Sequence, residues 1–181
     1  MPDSVTAAIA RAPVDPAQFR SLMTTHPAGV AIVTTAAADG RPWGMTVSSV
    51  CSVSLCPPTL LVCLRSGSPT LAALLEASAF AVNLLHDRAA PAARLFASGA
   101  ADRFDQVEWI REPESGVPLL IEDAHTIADC RLGETMPVGD HVVVFGEVVG
   151  VAAPSMRAPR PLLYGMRRYW SLAAGPEARP A

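Results

Sequence analysis

Charge is scarce in this sequence, at 17% of residues, and aromatic side chains are scarcer at 6%. The charge that is present carries no basic excess, because 14 Lys and Arg stand against 17 Asp and Glu for a formal net charge of −3. A nucleic-acid binder normally shows a basic face, so no nucleic-acid partner is expected. No run approaches the roughly 18 uninterrupted apolar residues of a membrane span. The most apolar stretch, Val142 to Ala153, is broken by Gly146, Glu147 and Gly150, and no membrane association is expected. The opening Met1-Pro2-Asp3-Ser4 lacks the basic segment and apolar core of a signal peptide, which makes a cytoplasmic location the expectation. Cysteine is limited to Cys51, Cys56, Cys63 and Cys130, with no CxxC pair and no His at metal-ligand spacing. Neither a metal site nor a catalytic thiol is therefore expected, and three of the four lie in apolar runs where a free thiol behaves as a small hydrophobe. Also missing are GxGxxG after the first strand, GxxxxGK[ST], GxSxG and HExxH. A dinucleotide fold, a nucleotide hydrolase, a serine hydrolase and a zinc protease each lack their usual signal, while a cofactor site outside the Rossmann fold stays open.

What is present points to one domain with a β-rich core. The chain has 181 residues, half of them hydrophobic, enough to bury a core or to hide part of its surface in an oligomer. We expect loose ends at residues 1–14 and 173–181 around a domain at 15–172. Asp15, Pro16 and Gln18 form a capping box that opens a helix with Phe19, Leu22 and Met23 on one face, ended by His26-Pro27. Gly29 to Thr35 is a strand, Ala38-Asp39-Gly40 a turn, and Pro42 to Val50 the returning strand, which Cys51 to Leu55 continues. After Pro57-Pro58 comes a strand at Thr59 to Leu64, then a helix opened by Ser68-Pro69 and running to Ala77. A strand at Ala79 to Leu85, a helix at Arg88 to Ala97 and an irregular polar region from Ser98 to Val117 follow. The last strands fall at Ala124 to Leu132, Asp140 to Ala153, Leu162 to Tyr164 and Arg168 to Leu172. Seven or eight strands with short connections favour a mainly β fold, an antiparallel barrel with a few capping helices.

Three polar clusters interrupt the apolar strands. In Thr46-Val47-Ser48-Ser49, small hydroxyls in mid-strand beside Gly44 would leave the backbone open to a flat ligand; a solvent-facing strand is the alternative. Arg65-Ser66-Gly67-Ser68-Pro69-Thr70 puts hydroxyls, a flexible glycine and a cation at a helix start, as a phosphate requires, although a plain Ser-Pro-Thr cap has the same residues. In Val138-Gly139-Asp140-His141-Val142, His141 follows a turn beside an acid, as a structural residue or as a donor beside a cofactor.

Taken in order, these segments resemble the short-chain flavin reductase family, whose fold is the FMN-binding split barrel. The stretches that carry the resemblance include Pro27-Ala28-Gly29-Val30, Gly44 to Ser49, Ser54-Leu55-Cys56-Pro57-Pro58, Phe80 to Leu84, Arg103-Phe104-Asp105, Gly139-Asp140-His141, Phe145 to Val148, and Pro161 to Tyr164. The resemblance spans Phe19 to Leu172. It implies an antiparallel split β-barrel, a homodimer, and an NAD(P)H:flavin oxidoreductase that reduces FMN or FAD with NADH or NADPH and passes reduced flavin to a partner monooxygenase. It further implies that Thr46, Val47, Ser48 and Ser49 contact the flavin, and that Cys63, Leu64, Arg65, Ser66, Ser68 and Thr70 hold the polar edge of the ring and the phosphate. Phe80, Ala81 and Asn83 would line the ring, Phe104 would pack over it, and His141 would stand where the nicotinamide arrives, with Tyr169 nearby. A flavin-binding protein without reductase activity, and a split-barrel enzyme that keeps its flavin and acts on an organic substrate, are the alternatives. The clustered basic residues Arg157, Arg160, Arg167 and Arg168 are few, which favours NADH.

Overall fold

The computed structural model describes residues 13–153 and 160–172, so the ends expected to be loose fall outside the described residues except for Pro13 and Val14. Helix α1, Pro16–Thr24, opens on the expected capping box: the Asp15 carboxylate accepts from the Ala17 and Gln18 amides at 2.7 and 2.8 Å, and the Gln18 side chain accepts from the Asp15 amide at 3.1 Å. Its apolar face is not buried in the chain, with Phe19 57% and Leu22 64% exposed.

The strand expected at Gly29 to Thr35 is in fact two, β1 at Ala28–Gly29 and β2 at Ala31–Ala36. Val30 is the switch between them. Its amide donates to the Leu162 carbonyl at 3.0 Å, while its own carbonyl accepts from the Leu85 amide at 3.1 Å, so the two backbone groups serve different sheets. β1 joins a three-stranded sheet with the hairpin of β11, Leu162–Gly165, and β12, Arg168–Ser171.

The main sheet has seven antiparallel strands in the order β3-β2-β6-β9-β10-β5-β4. Here β3 is Pro42–Val47, β4 Cys51–Leu55, β5 Pro58–Arg65, β6 Ala79–Leu85, β9 Ala124–Val138 and β10 His141–Ala152. β9 runs past its expected end at Leu132 because its extension pairs with the start of β10, Val138 opposite His141. Cys51 to Leu55 does not continue β3; it lies at the opposite edge of the sheet. Laid flat, seven strands would put their edges about 29 Å apart. The four steps from Val47 to Cys51 span at most about 14 Å. The sheet must therefore curl until its edges nearly meet, although no ladder closes it: an antiparallel split barrel. Inside lie Val33, Val47, Val62, Leu64, Leu74 and Phe80.

Helix α2, Pro69–Ala77, starts as expected from the Ser68 cap, whose hydroxyl accepts from the Leu71 amide at 3.2 Å. Helix α3 runs Ala90–Ser98, two residues later than expected, and Gly99 ends it in the left-handed conformation at φ +73°. A 3-10 turn at Arg103–Gln106 and the short pair β7, Ile110–Arg111, with β8, Pro118–Leu119, cover that end of the barrel.

Candidate functional site

Three neighbouring clefts, each sharing lining residues with the next, follow β3 and the barrel end covered by α3. The first, about 240 Å³, is bounded by Trp43, Ser68, Thr70, Ala97 and Arg103. The second, about 230 Å³, shares Ala97 and continues along Thr46, Val47 and Ser48 to Tyr164 and Tyr169. The third, about 550 Å³, shares Ser48 and Tyr164 and opens among the C-terminal turn of α1 and the β11–β12 hairpin.

The first cleft carries the clearest electrostatic signal. Arg103 is only 7% exposed. One guanidinium nitrogen donates to the Ala100 carbonyl at 2.7 Å, but its Nε has no partner, and no carboxylate pairs with it among the described residues. The guanidinium lies 5.7 Å from the Trp43 ring and 6.0 Å from those of Phe96 and Phe104. Burial pulls its pKa below the ordinary arginine value, yet an arginine remains charged at any physiological pH. A largely buried cation with no carboxylate partner, lining the same cleft as the Ser68 and Thr70 side chains at the N-terminus of α2, is an arrangement suited to an anion.

The residues that line the second cleft are uncharged. The Thr46 hydroxyl donates to the Ala93 carbonyl at 2.6 Å, which fixes α3 to β3 and leaves that oxygen able only to accept. Tyr169 packs edge-on to Tyr164 with ring centres 5.2 Å apart, and Arg94 sits 4.9 Å from its ring. Burial pushes the Tyr169 phenol pKa up, partly countered by Arg94.

Residues 23–173 match the family model described as "Flavin reductase like domain". The chain belongs to the flavin reductase like family. A flavin reductase (NADPH) of Lentzea aerocolonigenes is 46% identical over 156 residues, 86% of this chain and 89% of that protein. The structure of an NADH:FAD oxidoreductase of Streptomyces globisporus C-1027, in complex with NAD and FAD fragments, aligns with TM-score 0.84 at 32% identity over 94% of this chain and 100% of the other. Nitrilotriacetate monooxygenase component B of Mycobacterium thermoresistibile aligns with TM-score 0.83 at 30% identity, covering 91% and 92% of the two chains.

Against that family's pattern the residues fall into four groups. Thr46, Val47, Ser48, Ser68, Thr70 and Tyr169 line the groove. Ser49 and Cys63 bond to each other, and Phe104 is buried against Gly44 without lining any of the three clefts. Arg65, Ser66 and His141 stand together on the exposed end of β5 and β10: Arg65 pairs with His141 in register, and the Ser66 amide donates to the Asp140 carbonyl at 2.9 Å. Leu64, Phe80, Ala81 and Asn83 are fully buried. Asn83 is satisfied inside the protein, its amide donating to the Ile32 carbonyl and the Thr34 hydroxyl and its oxygen accepting from the Leu120 amide, each at 2.9 Å. The structure brings neither these four side chains nor Arg65, Ser66 and His141 into the lining of the three clefts.

The space above Gly44 is not left for a ligand. A Cβ there would meet Phe96 Cε1 and the Val33 carbonyl at 3.0 Å and Phe104 Cζ at 3.2 Å, so the glycine admits aromatic rings of the protein itself. Arg103, and not the Arg65 expected from the sequence, is the cation that lines the first cleft, and its only signal in the sequence is its place in the Arg103-Phe104 pair. Cys130 is chemically quiet, its thiol pushed up to about 12 by burial first and by Asp129 second. Among the described residues no group of three His, Cys, Asp or Glu could hold a metal ion, and no helix is long and apolar enough to cross a membrane.

Proposed function

We propose that the protein is an NAD(P)H-dependent flavin reductase that takes up FMN or FAD, reduces it, and releases it to a partner monooxygenase. The observation that carries this reading is the Arg103 guanidinium, which has no carboxylate partner among the described residues and lines one cleft with Ser68 and Thr70 at the start of α2, an arrangement that supports a phosphate at that end of the groove. The residues fit the group. Arg103, Ser68 and Thr70 would hold the phosphate, the β3 segment from Thr46 to Ser48 would orient the ribityl chain and ring, and the Tyr169 ring would shelter it from water. Bound flavin supplies the two-electron chemistry, accepting a hydride from the nicotinamide. The chain itself needs no nucleophile; its part is to align the reactants and to present donors where negative charge develops. His141, on the exposed end of β10, would meet the nicotinamide. Release of reduced flavin is supported by the openness of the groove and by the likeness to a protein named as a monooxygenase component.

A homodimer fits the exposed apolar side chains Val53 and Leu55 on β4 and Met136, Val138, Val149 and Val151 on the β9–β10 hairpin. Four unpaired thiols fit a cytoplasmic setting.

The test is steady-state oxidation of NADH and NADPH against riboflavin, FMN and FAD in turn. Turnover that saturates with added flavin supports the reductase. No turnover with any flavin overturns it, and flavin that survives exhaustive dialysis overturns release.

A further inference from the structure

The third cleft has no role in holding the flavin phosphate proposed at the other end of the groove, yet its lining is basic and carries no acidic residue. Arg20, His26 and Arg167 all line it, and none has a carboxylate within 4.0 Å among the described residues. The carbonyls at the end of α1, which would otherwise attract these cations, are already occupied. Leu22 accepts from the Thr25 amide at 3.1 Å, Met23 from the His26 amide at 3.2 Å, and Thr24 from the Met166 amide at 2.8 Å.

The hairpin that supplies Arg167 is held in an unfavourable conformation. Gly165 pairs with Arg168, which leaves a two-residue turn with Met166 at φ +52° and Arg167 at φ +59°. Such a turn favours Asn or Gly at both positions, because a side chain in the left-handed region is sterically costly. Met166 and Arg167 have no such tolerance. The hairpin is pinned there by the Met166–Thr24 bond and by Gly165, whose Cβ, were there one, would lie 3.1 Å from Pro27 Cα. Backbone strain persists where surrounding structure enforces it, and it concentrates at functional sites.

We infer that Arg20, His26 and Arg167 form a second anion subsite, which takes the phosphates of the nicotinamide donor. This rests on the flavin reductase reading. Two phosphate-bearing ligands that stack ring to ring in one groove repel least when their phosphates leave by opposite ends. The clefts are arranged in that way, with Arg103 at one end, the neutral stretch of Thr46, Ser48, Tyr164 and Tyr169 between, and the three cations at the other. The subsite is assembled from positions 20, 26 and 167 and so has no run of basic residues to announce it. Sparse basic clusters in the sequence therefore do not favour NADH over NADPH.

The experiment compares the unaltered protein with Arg20→Ala and Arg167→Gly. Binding of NAD+ and NADP+ to flavin-free protein is followed by calorimetry, FMN and FAD are titrated separately, and Tm and turnover are measured on the same preparations. Each substitution is expected to weaken NAD(P)+ binding about tenfold or more, with FMN and FAD affinity changed less than about twofold, within the context-dependent scatter of single contacts. Arg167→Gly, freed of its strained φ, is expected to raise Tm by about 2–4 °C. A variant more stable yet poorer at binding the donor separates the site from a folding defect. A loss shared by NAD+ and NADP+ assigns the subsite to the pyrophosphate, and a loss confined to NADP+ assigns it to the 2′-phosphate. Unchanged NAD(P)+ binding, or a loss confined to FAD, overturns the inference while normal turnover leaves the reductase reading standing. Absence of flavin-dependent turnover in the unaltered protein overturns both.

Discussion

One hydroxyl joins Ser49 to Cys63 twice: Ser49 Oγ accepts from the Cys63 amide at 3.0 Å and donates to its carbonyl at 3.2 Å. Cys51 pairs with Leu61 at the last rung between β4 and β5, so Cys63, two residues further along β5, has no strand partner on that side. The Ser49 side chain serves as the missing rung and draws the end of β3 toward β5, where the split barrel comes nearest to closing. Ser49→Ala leaves two half-buried backbone groups without partners and should cost about 1–3 kcal/mol, read as a lower urea midpoint. Ser49→Thr should restore most of it. The same loosening should weaken flavin binding, because Thr46 to Ser48 lead directly into this clasp.

Arg103 should govern affinity for the phosphate and not for the ring. Arg103→Met keeps the bulk against Trp43, Phe96 and Phe104 but removes the charge. FMN binding, followed by fluorescence titration, should weaken about 10–100-fold, the range for a charge-assisted hydrogen bond. Riboflavin, which has no phosphate, should bind nearly as before. Equal losses for both flavins would place the phosphate elsewhere.

His141 carries a separate expectation. Its Nδ1 bonds the Asp140 carboxylate at 2.8 Å, and that hydrogen bond first, then the charge of His141, holds the Asp140 carboxyl below its usual range. Nδ1 donates its proton to the carboxylate oxygen, and no hydrogen bond engages Nε2 among the described residues. His141→Ala should raise the KM for the nicotinamide while the Kd for flavin stays within about twofold. An unchanged KM would make His141 a residue of the turn and nothing more.

What the sequence disclosed was mostly what neighbouring residues decide among themselves. The Asp15–Gln18 capping box, the Ser68-Pro69 helix start and the β2–β3 hairpin follow from side chains within a few positions of one another. Val30 was not legible, because its switch between sheets depends on Leu85 and Leu162, far along the chain. Nor was the jump of Cys51 to Leu55 to the opposite edge, since a strand pattern does not name its partner. At the site, Ser68 and Thr70 were legible from their place at a helix start. Arg103 was not, because its burial beneath Trp43 and its lack of an acid exist only in the fold.

A pH dependence follows from Asp87. The Ser171 hydroxyl donates to its Oδ2 at 2.7 Å and Arg160 Nε lies 2.9 Å from the same oxygen. The Ser171 bond is the larger influence, desolvation opposes it, Arg160 adds to it, and the net effect holds the carboxyl below its ordinary value. A depressed folded pKa means the contribution is complete above the unfolded value and is lost as pH falls through the folded one, so below about pH 4. Asp87→Asn should therefore be less stable than the unaltered protein at pH 7, with the gap closing in acid. Urea midpoints at pH 7 and pH 3 check this, and a gap of constant size would refute it.

Gly44 gives the sharpest test of how the groove is built. An added methyl would press on three groups at once, and they differ in how far they can yield. The Val33 carbonyl at 3.0 Å belongs to the β2 backbone and cannot move without breaking the sheet. Phe96 and Phe104 are buried, meet edge-on with centres 5.0 Å apart, and are held further by Trp109, whose Nε1 donates to the Phe104 carbonyl at 3.1 Å. Gly44→Ala should cost about 1–3 kcal/mol, as overpacking does. Displacement of Phe104 should also shift the Arg103 guanidinium near its face, so FMN affinity should fall although residue 44 itself holds no phosphate. Phe104→Leu opens space on one side only. In the double variant Gly44→Ala/Phe104→Leu the two costs should sum to less than their separate values if the ring is the obstacle, and add fully if the Val33 carbonyl is. Urea unfolding with a parallel FMN titration of all three variants distinguishes the two.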